Sequence, residues 1–277
     1  MTARAEESAD YLRRLGEAGD GPHDIAAAAL MLSALDHPET PLDSYREHLA
    51  ELAQAMRAQS HFVRDAEALA RALAAVMVQR YGYDGDRLAY GDAQNADLIA
   101  VIERRRGLPV ALGILYIHAA RGAGLAAHGL LAPGHFLLAL ETKDGDALID
   151  PFNGGAALER EKLSAPPSMA GLGMPDDPRV LEPVSDTDVL LRLLNNVKAR
   201  ALERRETMRE LEIARRMVLI APRRAELWYE LGQISERSGA LGAAARAYEG
   251  GLALAKPGAA LHNEAALALS ALKRKLN

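Results

Sequence analysis

The sequence contains no cysteine, so disulfides, thiolate metal sites and cysteine nucleophiles are excluded by inventory. It has no excess of cations either: 33 Lys and Arg stand against 38 Asp and Glu, a formal net charge of −5. That balance supplies no broad cationic surface for phosphate backbones or anionic lipid, so neither nucleic acid nor a membrane is expected as a partner. Long apolar runs are missing too. The most apolar stretch, Leu108 to Ile117, falls far short of the roughly 20 residues that span a bilayer. The opening segment MTARAEESADYLRRLG holds acids and no apolar core of signal-peptide length, so no secretory leader is expected and the cytoplasm is the expected compartment.

What is present is helical periodicity, in a chain of 277 residues with room for two modest domains. Asp24 to Leu35, Pro41 to Ser60 and Asp65 to Tyr81 each carry apolar residues at helical spacing. In the second, Leu42, Tyr45, Leu49, Leu52 and Met56 form a packing face rather than a site. Gly82 to Gln94, rich in glycine and aspartate, is predicted to be loop. Asn95 to Arg106 returns to helix. Asn95 reads as its N-cap with Asp97 supporting the positive end; a role in a cleft is the other reading. Arg104 to Arg106 read as a solvated or ion-paired face, with an anion site at the following helix start as the alternative.

Gly107 breaks that helix and Pro109 opens another, because proline is tolerated where its missing N–H has no partner. The run VALGILYIHAARGAG is apolar on almost every side, which predicts a buried central helix. His118 on it reads as a satisfied core histidine. The period then changes. His128 to Leu131, Phe136 to Leu140 and Ala147 to Ile149 are short apolar runs separated by Pro-Gly and Asp-Gly, the pattern of antiparallel strands. Ala165 to Pro183 holds five prolines and reads as a linker or domain edge. Helices resume from Asp188.

Trp228-Tyr229-Glu230-Leu231-Gly232, followed by Gly239, Ala244, Tyr248 and Pro257, fits the template of the tetratricopeptide repeat, about 34 residues long. Ser235 stands where the template has tyrosine and Gly251 where it has alanine. Leu190 to Pro222 and Leu261 to Leu276 are expected to be neighbouring helix pairs. Two readings stay open: stacked pairs that bury a common face and do nothing more, or a concave surface for a peptide or partner domain. Glu203, Glu206, Glu210 and Glu212 interleave with the arginine pairs of this region, which makes a solvated charged face.

Three stretches, Asn95-Ala-Asp-Leu to Glu103-Arg-Arg-Arg-Gly-Leu-Pro109, then Pro133-Gly-His135-Phe-Leu-Leu, then Leu148-Ile-Asp150-Pro-Phe-Asn-Gly-Gly155, resemble the SirB-type branch of the transglutaminase-like superfamily. The resemblance covers nearly the whole chain. It implies an α+β protein: a papain/transglutaminase-like core, a buried central helix against a small antiparallel sheet, with N-terminal helices (1–184), and a C-terminal all-α tetratricopeptide region (185–277). It also implies a cysteine at the N-terminus of the buried helix, a histidine on one strand and an aspartate on the next. His135 matches the histidine and Asp150 the aspartate.

The nucleophile's place falls within Leu108 to Leu112, which are Leu, Pro, Val, Ala and Leu; none attacks an acyl carbon, and the nearest hydroxyl on that helix belongs to Tyr116. The expectation is a non-catalytic interaction or regulatory protein with a protein or peptide partner. The rival is an amide hydrolase or transferase that uses His135 and Asp150 by a water-based route. Asn95, Pro109, Val110, Ala111 and Gly134 are the expected lining of a retained cleft. His135 and Asp150 also fit a purely structural pair, or a metal site with His128; no metal and no cofactor is expected. A two-residue Asp144-Gly145 turn would set Asp150 opposite Ala139 and leave His135 out of step. The resemblance instead calls for His135 directly opposite Asp150, a loop of Glu141 to Asp144 centred on Thr142-Lys143, and a left-handed Gly145.

Overall fold

The computed structural model describes residues 3–61, 63, 65–130, 135–143, 145–158 and 181–276. Gly134, the Pro133-Gly134 turn, Asp144 and the expected linker up to residue 180 lie outside the described residues. The chain divides into two compact units: residues 21–193 with the first eight make one, and 9–20 with 194–277 make the other.

Helix α1 (Ala3–Ala18) precedes the three expected N-terminal helices, α2 (Ile25–Ala34), α3 (Asp43–Ser60) and α4 (Ala66–Ala74). Local capping sets two of the starts: Asp24 accepts from the Ala27 N–H, and Asp65 from those of Glu67 and Ala68, which satisfies first-turn donors that have no partner within the helix. α4 runs on as a π-helical stretch, Ala75–Arg80.

The helix expected over Asn95–Arg106 is shorter. A 3₁₀ turn, Ala93–Ala96, is followed by α5 (Leu98–Arg104). Asn95 is not the cap: it lies fully buried inside the 3₁₀ turn, and Asp97 caps α5 by accepting from Ile99 and Ala100 N–H at 3.0 and 3.3 Å. The Asn95 amide is drawn elsewhere. Its Nδ2 donates to the Ala89 carbonyl at 2.7 Å, and its Oδ1 accepts from Arg104 Nη1 at 3.0 Å. Arg105 ends α5 in the left-handed region, φ 57°. Two short strands, β1 (Asp84–Gly85) and β2 (Arg106–Gly107), pair in parallel; two residues are too few to leave a periodic signal.

α6 (Pro109–Gly122) is the buried central helix. It packs on α3 and on the sheet, and at each contact a glycine makes room. A Cβ on Gly122 would meet the Ala53 methyl at 2.4 Å, and one on Gly113 would meet the Phe136 ring at 2.2 Å. Leu112, Ile114, Leu115 and Ile117 are sealed from solvent, each worth about 1.5–3 kcal/mol on burial. The sheet holds β3 (Ala127–Leu130), β4 (Leu137–Leu140), β5 (Ala147–Asp150), β6 (Ala156–Leu158) and β7 (Pro183–Val184), antiparallel in the order β6-β5-β4-β3-β7. Every residue of β4 is buried: Leu137 and Ala139 join Leu130, Leu148 and Leu181 in one cluster, and Leu138 and Leu140 point the other way.

α7 (Asp186–Glu203) is followed in the second unit by α8 (Thr207–Ile220), α9 (Ala225–Arg237), α10 (Leu241–Leu254) and α11 (Ala260–Leu276). The α9–α10 contact is close because small residues face rings. A Cβ on Gly232 would lie 2.4 Å from the Tyr248 ring, and one on Gly250 2.8 Å from Trp228. The expected helix pair over Leu261–Leu276 is a single helix, consistent with a segment that contains no glycine or proline to turn it.

Candidate functional site

Asp150 closes β5 and His135 lies in the bend before β4. His135 Nε2 and Asp150 Oδ2 are 2.9 Å apart. The strands alone do not bring them together. Leu138 faces Ile149 and Leu140 faces Ala147, so the next step sets Asp150 opposite Leu137, and His135 lies two residues beyond. The expected direct opposition is therefore corrected: the hairpin pivots one position later, its loop covers residues 141–146, and the imidazole spans the offset because His135 has left the strand. Gly145 takes a positive φ of 119°, and the Thr142 hydroxyl donates to its carbonyl at 2.6 Å.

The Asp150 carboxylate is fixed from all sides. Oδ1 accepts from the N–H groups of Phe152 and Asn153 at 3.0 and 3.1 Å, and Oδ2 accepts from Asn153 Nδ2 at 2.7 Å as well as from His135. Burial works against its charge, and the hydrogen bonds from His135 and Asn153 outweigh that, so its pKa lies below the usual 3.8. An ionised carboxylate only accepts, which places a proton on Nε2, so in the neutral imidazole Nδ1 is the acceptor. Arg192 donates to the His135 carbonyl and lies over the Phe136 ring at 6.0 Å, which holds the backbone of the pair.

Sequence reasoning missed the wall beside the pair. Phe152 stands edge-on to His135 at 6.4 Å between ring centroids, and Tyr90 edge-on to Phe152 at 5.7 Å. Arg87 donates to the Phe152 carbonyl and to Asn153 Oδ1 at 2.9 and 3.0 Å. The Asp150-Pro-Phe-Asn run carries a signal for the local part, since aspartate accepts from backbone two and three residues on. Nothing local announces Arg87 or Tyr90.

Pro109, Val110 and Ala111 open α6, are buried, and carry no polar side-chain atom. Asn95 touches this helix start through its carbonyl, which accepts from the Leu108 N–H at 2.8 Å; its side chain bonds to the Ala89 carbonyl and to Arg104. Arg104 pairs with Asp86 at 2.8 Å. His128 Nδ1 pairs with Glu141 at 2.9 Å. His118 is held by the Leu49 carbonyl at 3.1 Å and Asp24 at 3.5 Å. Among the described residues no three His, Asp or Glu side chains group as metal ligands.

Residues 43–195, more than half of the chain, match a family model described as the transglutaminase-like superfamily. The chain is 30% identical over 226 residues to the UPF0162 protein of Xylella fastidiosa strain Temecula1, a match that covers 78% of this chain and 80% of that one. It is 33% identical over 132 residues to the UPF0162 protein of Vibrio cholerae, covering 47% and 49%. Mouse F-box only protein 21 shares 33% identity over 63 residues, 23% of this chain and 10% of that one. The family match takes in the buried helix, the sheet strands that flank the His135–Asp150 pair, and the pair itself; the chain belongs to the transglutaminase-like superfamily.

Proposed function

We propose that the chain is a non-catalytic interaction or regulatory protein in which His135 and Asp150 hold a group of a protein or peptide partner rather than drive its cleavage. The observation that carries this reading is the missing nucleophile: the chain has no cysteine, and Leu108 to Leu112 offer only buried apolar side chains. His135 Nδ1 presents an acceptor. The amides of Val110 and Ala111, ahead of the first intrahelical bond of α6, are donors without helical partners. An amide group, from a side chain or a peptide bond, supplies the complement of both. The second unit is read as tetratricopeptide repeats of the SirB-type arrangement, supported by the small-to-ring contacts of Gly232 on Tyr248 and Gly250 on Trp228. We place the protein in the cytoplasm; no helix among the described residues is long and apolar enough to cross a membrane.

A second reading, amide hydrolysis or transfer with His135 activating water, is favoured by the ionised Asp150 beside the imidazole. Incubation with fluorogenic amide and peptide substrates separates the two. No turnover above buffer is expected; turnover that disappears in His135→Ala would overturn the binding reading. Affinity capture with mass spectrometry should recover a stoichiometric partner, and the same substitution should weaken that capture.

A further inference from the structure

His48, on α3, is buried and stands outside the His135–Asp150 pair. Its Nε2 lies 2.6 Å from Arg105 Nη1 and 2.8 Å from the Tyr83 hydroxyl, and Arg105 also donates to that hydroxyl. A guanidinium only donates, so Nε2 is the unprotonated nitrogen and the ring proton belongs on Nδ1, which faces Glu51 Oε2 at 3.5 Å. Tyr81 stands edge-on to the ring at 5.3 Å, with Arg80 over the face of Tyr81. Arg105, Tyr83, Tyr81 and Glu51 are thus the titratable groups that face His48 among the described residues. Burial and the Arg105 charge hold the imidazole's pKa below its ordinary 6.5, with Glu51 opposing them.

This cluster holds Arg105 in a left-handed turn, φ 57°, a conformation that disfavours any residue with a Cβ. The Arg105 carbonyl accepts from the Asp84 N–H at 3.1 Å, and the Gly107 carbonyl from Asp86 N–H at 3.3 Å; these two bonds frame the β1–β2 pairing. Between them, Gly85 donates to the Phe152 carbonyl at 3.2 Å, and its bare Cα lies so close that a Cβ would stand 2.5 Å from the Phe152 ring. Phe152 is the ring edge-on to His135. A continuous set of contacts therefore runs from His48 through Arg105, Asp84, its neighbour Gly85, and Phe152 to His135.

We propose that His48 is a proton-operated latch on the wall of the candidate cleft. Neutral, it accepts from Arg105 and keeps the turn closed. Protonated by solvent, Nε2 loses its lone pair and two cations face each other at the 2.6 Å contact; Arg105 leaves, β1–β2 loosens, and Phe152 loses the backbone that positions it. The bearing of the latch on ligand binding rests on the proposed function, but the latch itself does not.

The test is amide exchange of Asp84, Gly85 and Asp86 in the full-length protein, with imidazole nitrogen shifts of His48 followed in the same samples. Protection factors should fall as pH drops below the ordinary imidazole value of 6.5, by up to about tenfold per pH unit, the slope for uptake of one proton on opening, and level off once the folded ring is itself protonated. His48→Gln, which accepts from Arg105 and does not titrate, should keep them flat. Protection that is lost equally in His48→Gln, or that stays unchanged from pH 6.5 down to the pH at which His48 titrates in the folded protein, overturns the latch. If the variant does not fold, the wild-type comparison decides alone. No ligand enters these measurements, so a failed latch and a cleft that binds nothing are told apart.

Discussion

Asp150 accepts four hydrogen bonds in a site that is nearly closed to solvent. Asp150→Asn turns one acceptor edge into a donor that faces His135 or Asn153, and should cost about 1–3 kcal/mol in urea denaturation. The wild-type carboxyl has a folded pKa below the unfolded 3.8. Its contribution is therefore fully present above that value and is lost as pH falls through the folded one. Stability measured at pH 5 and again below 3.8 should drop for the wild type by a component that Asp150→Asn lacks. Tyr116 is the opposite case. Its hydroxyl is sealed in the core with no hydrogen-bond partner among the described residues, and burial, with Asp84 and Asp150 nearby, pushes its pKa well up. A buried donor left unpaired costs about 1–3 kcal/mol, so Tyr116→Phe should leave stability unchanged or raise it; a fall of more than about 1 kcal/mol would show that the hydroxyl has a partner.

Helix α6 makes close approaches through Gly113 and Gly122, and these define what the element tolerates. Alanine is the better helix former, yet a methyl at Gly113 would stand 2.2 Å from the Phe136 ring, next in sequence to His135. Gly113→Ala should destabilise by about 1–3 kcal/mol through overpacking. Gly242 in α10 is exposed, and the nearest atom to an added Cβ is the flexible Arg246 Nη1 at 3.8 Å. There Gly242→Ala should stabilise by about 0.4–1 kcal/mol. The opposite signs, read from two melting curves, check the packing and not the propensity alone. The elements themselves were legible where caps and periods are local: Asp24, Asp65 and Pro109 mark starts that the fold keeps. β1 and β2 were not, because their pairing joins residues 84–85 to 106–107, and no short window contains both.

At the scale of the molecule, one buried ion pair ties together segments far apart in sequence within the first unit. Asp186 accepts from Arg121 Nη1 and Nη2 at 2.7 and 2.9 Å and from the His23 N–H at 2.7 Å, which joins the end of α6, the approach to α2 and the start of α7. Asp186→Ala leaves Arg121 without its carboxylate. Its side chain is 29% exposed, so water offsets part of the loss, and the expected cost is about 2–3 kcal/mol, below the roughly 3–5 of a fully buried pair. The double variant Arg121→Met, Asp186→Leu should recover most of it, because no charge is then stranded; a double variant as unstable as the single one would place the loss elsewhere.

The sequence alone determined the chemistry that is missing, since an inventory without cysteine needs no fold to be read. It also determined the buried helix, through apolar residues on every side, and the strand runs of β3 to β5, through a change of period. Only the tertiary structure decided how His135 and Asp150 meet. Strand register leaves them two residues apart, and the contact depends on a bend before β4 and on side-chain reach, neither of which has a local signature. Likewise Asn95 and Asp97 are both good caps by type, and Asp97 took the role because Ala89 and Arg104 claimed the Asn95 amide. Caps and periods act over one or two turns of chain; the offset pair, the left-handed Arg105 and the aromatic wall at Phe152 are set by partners tens of residues away.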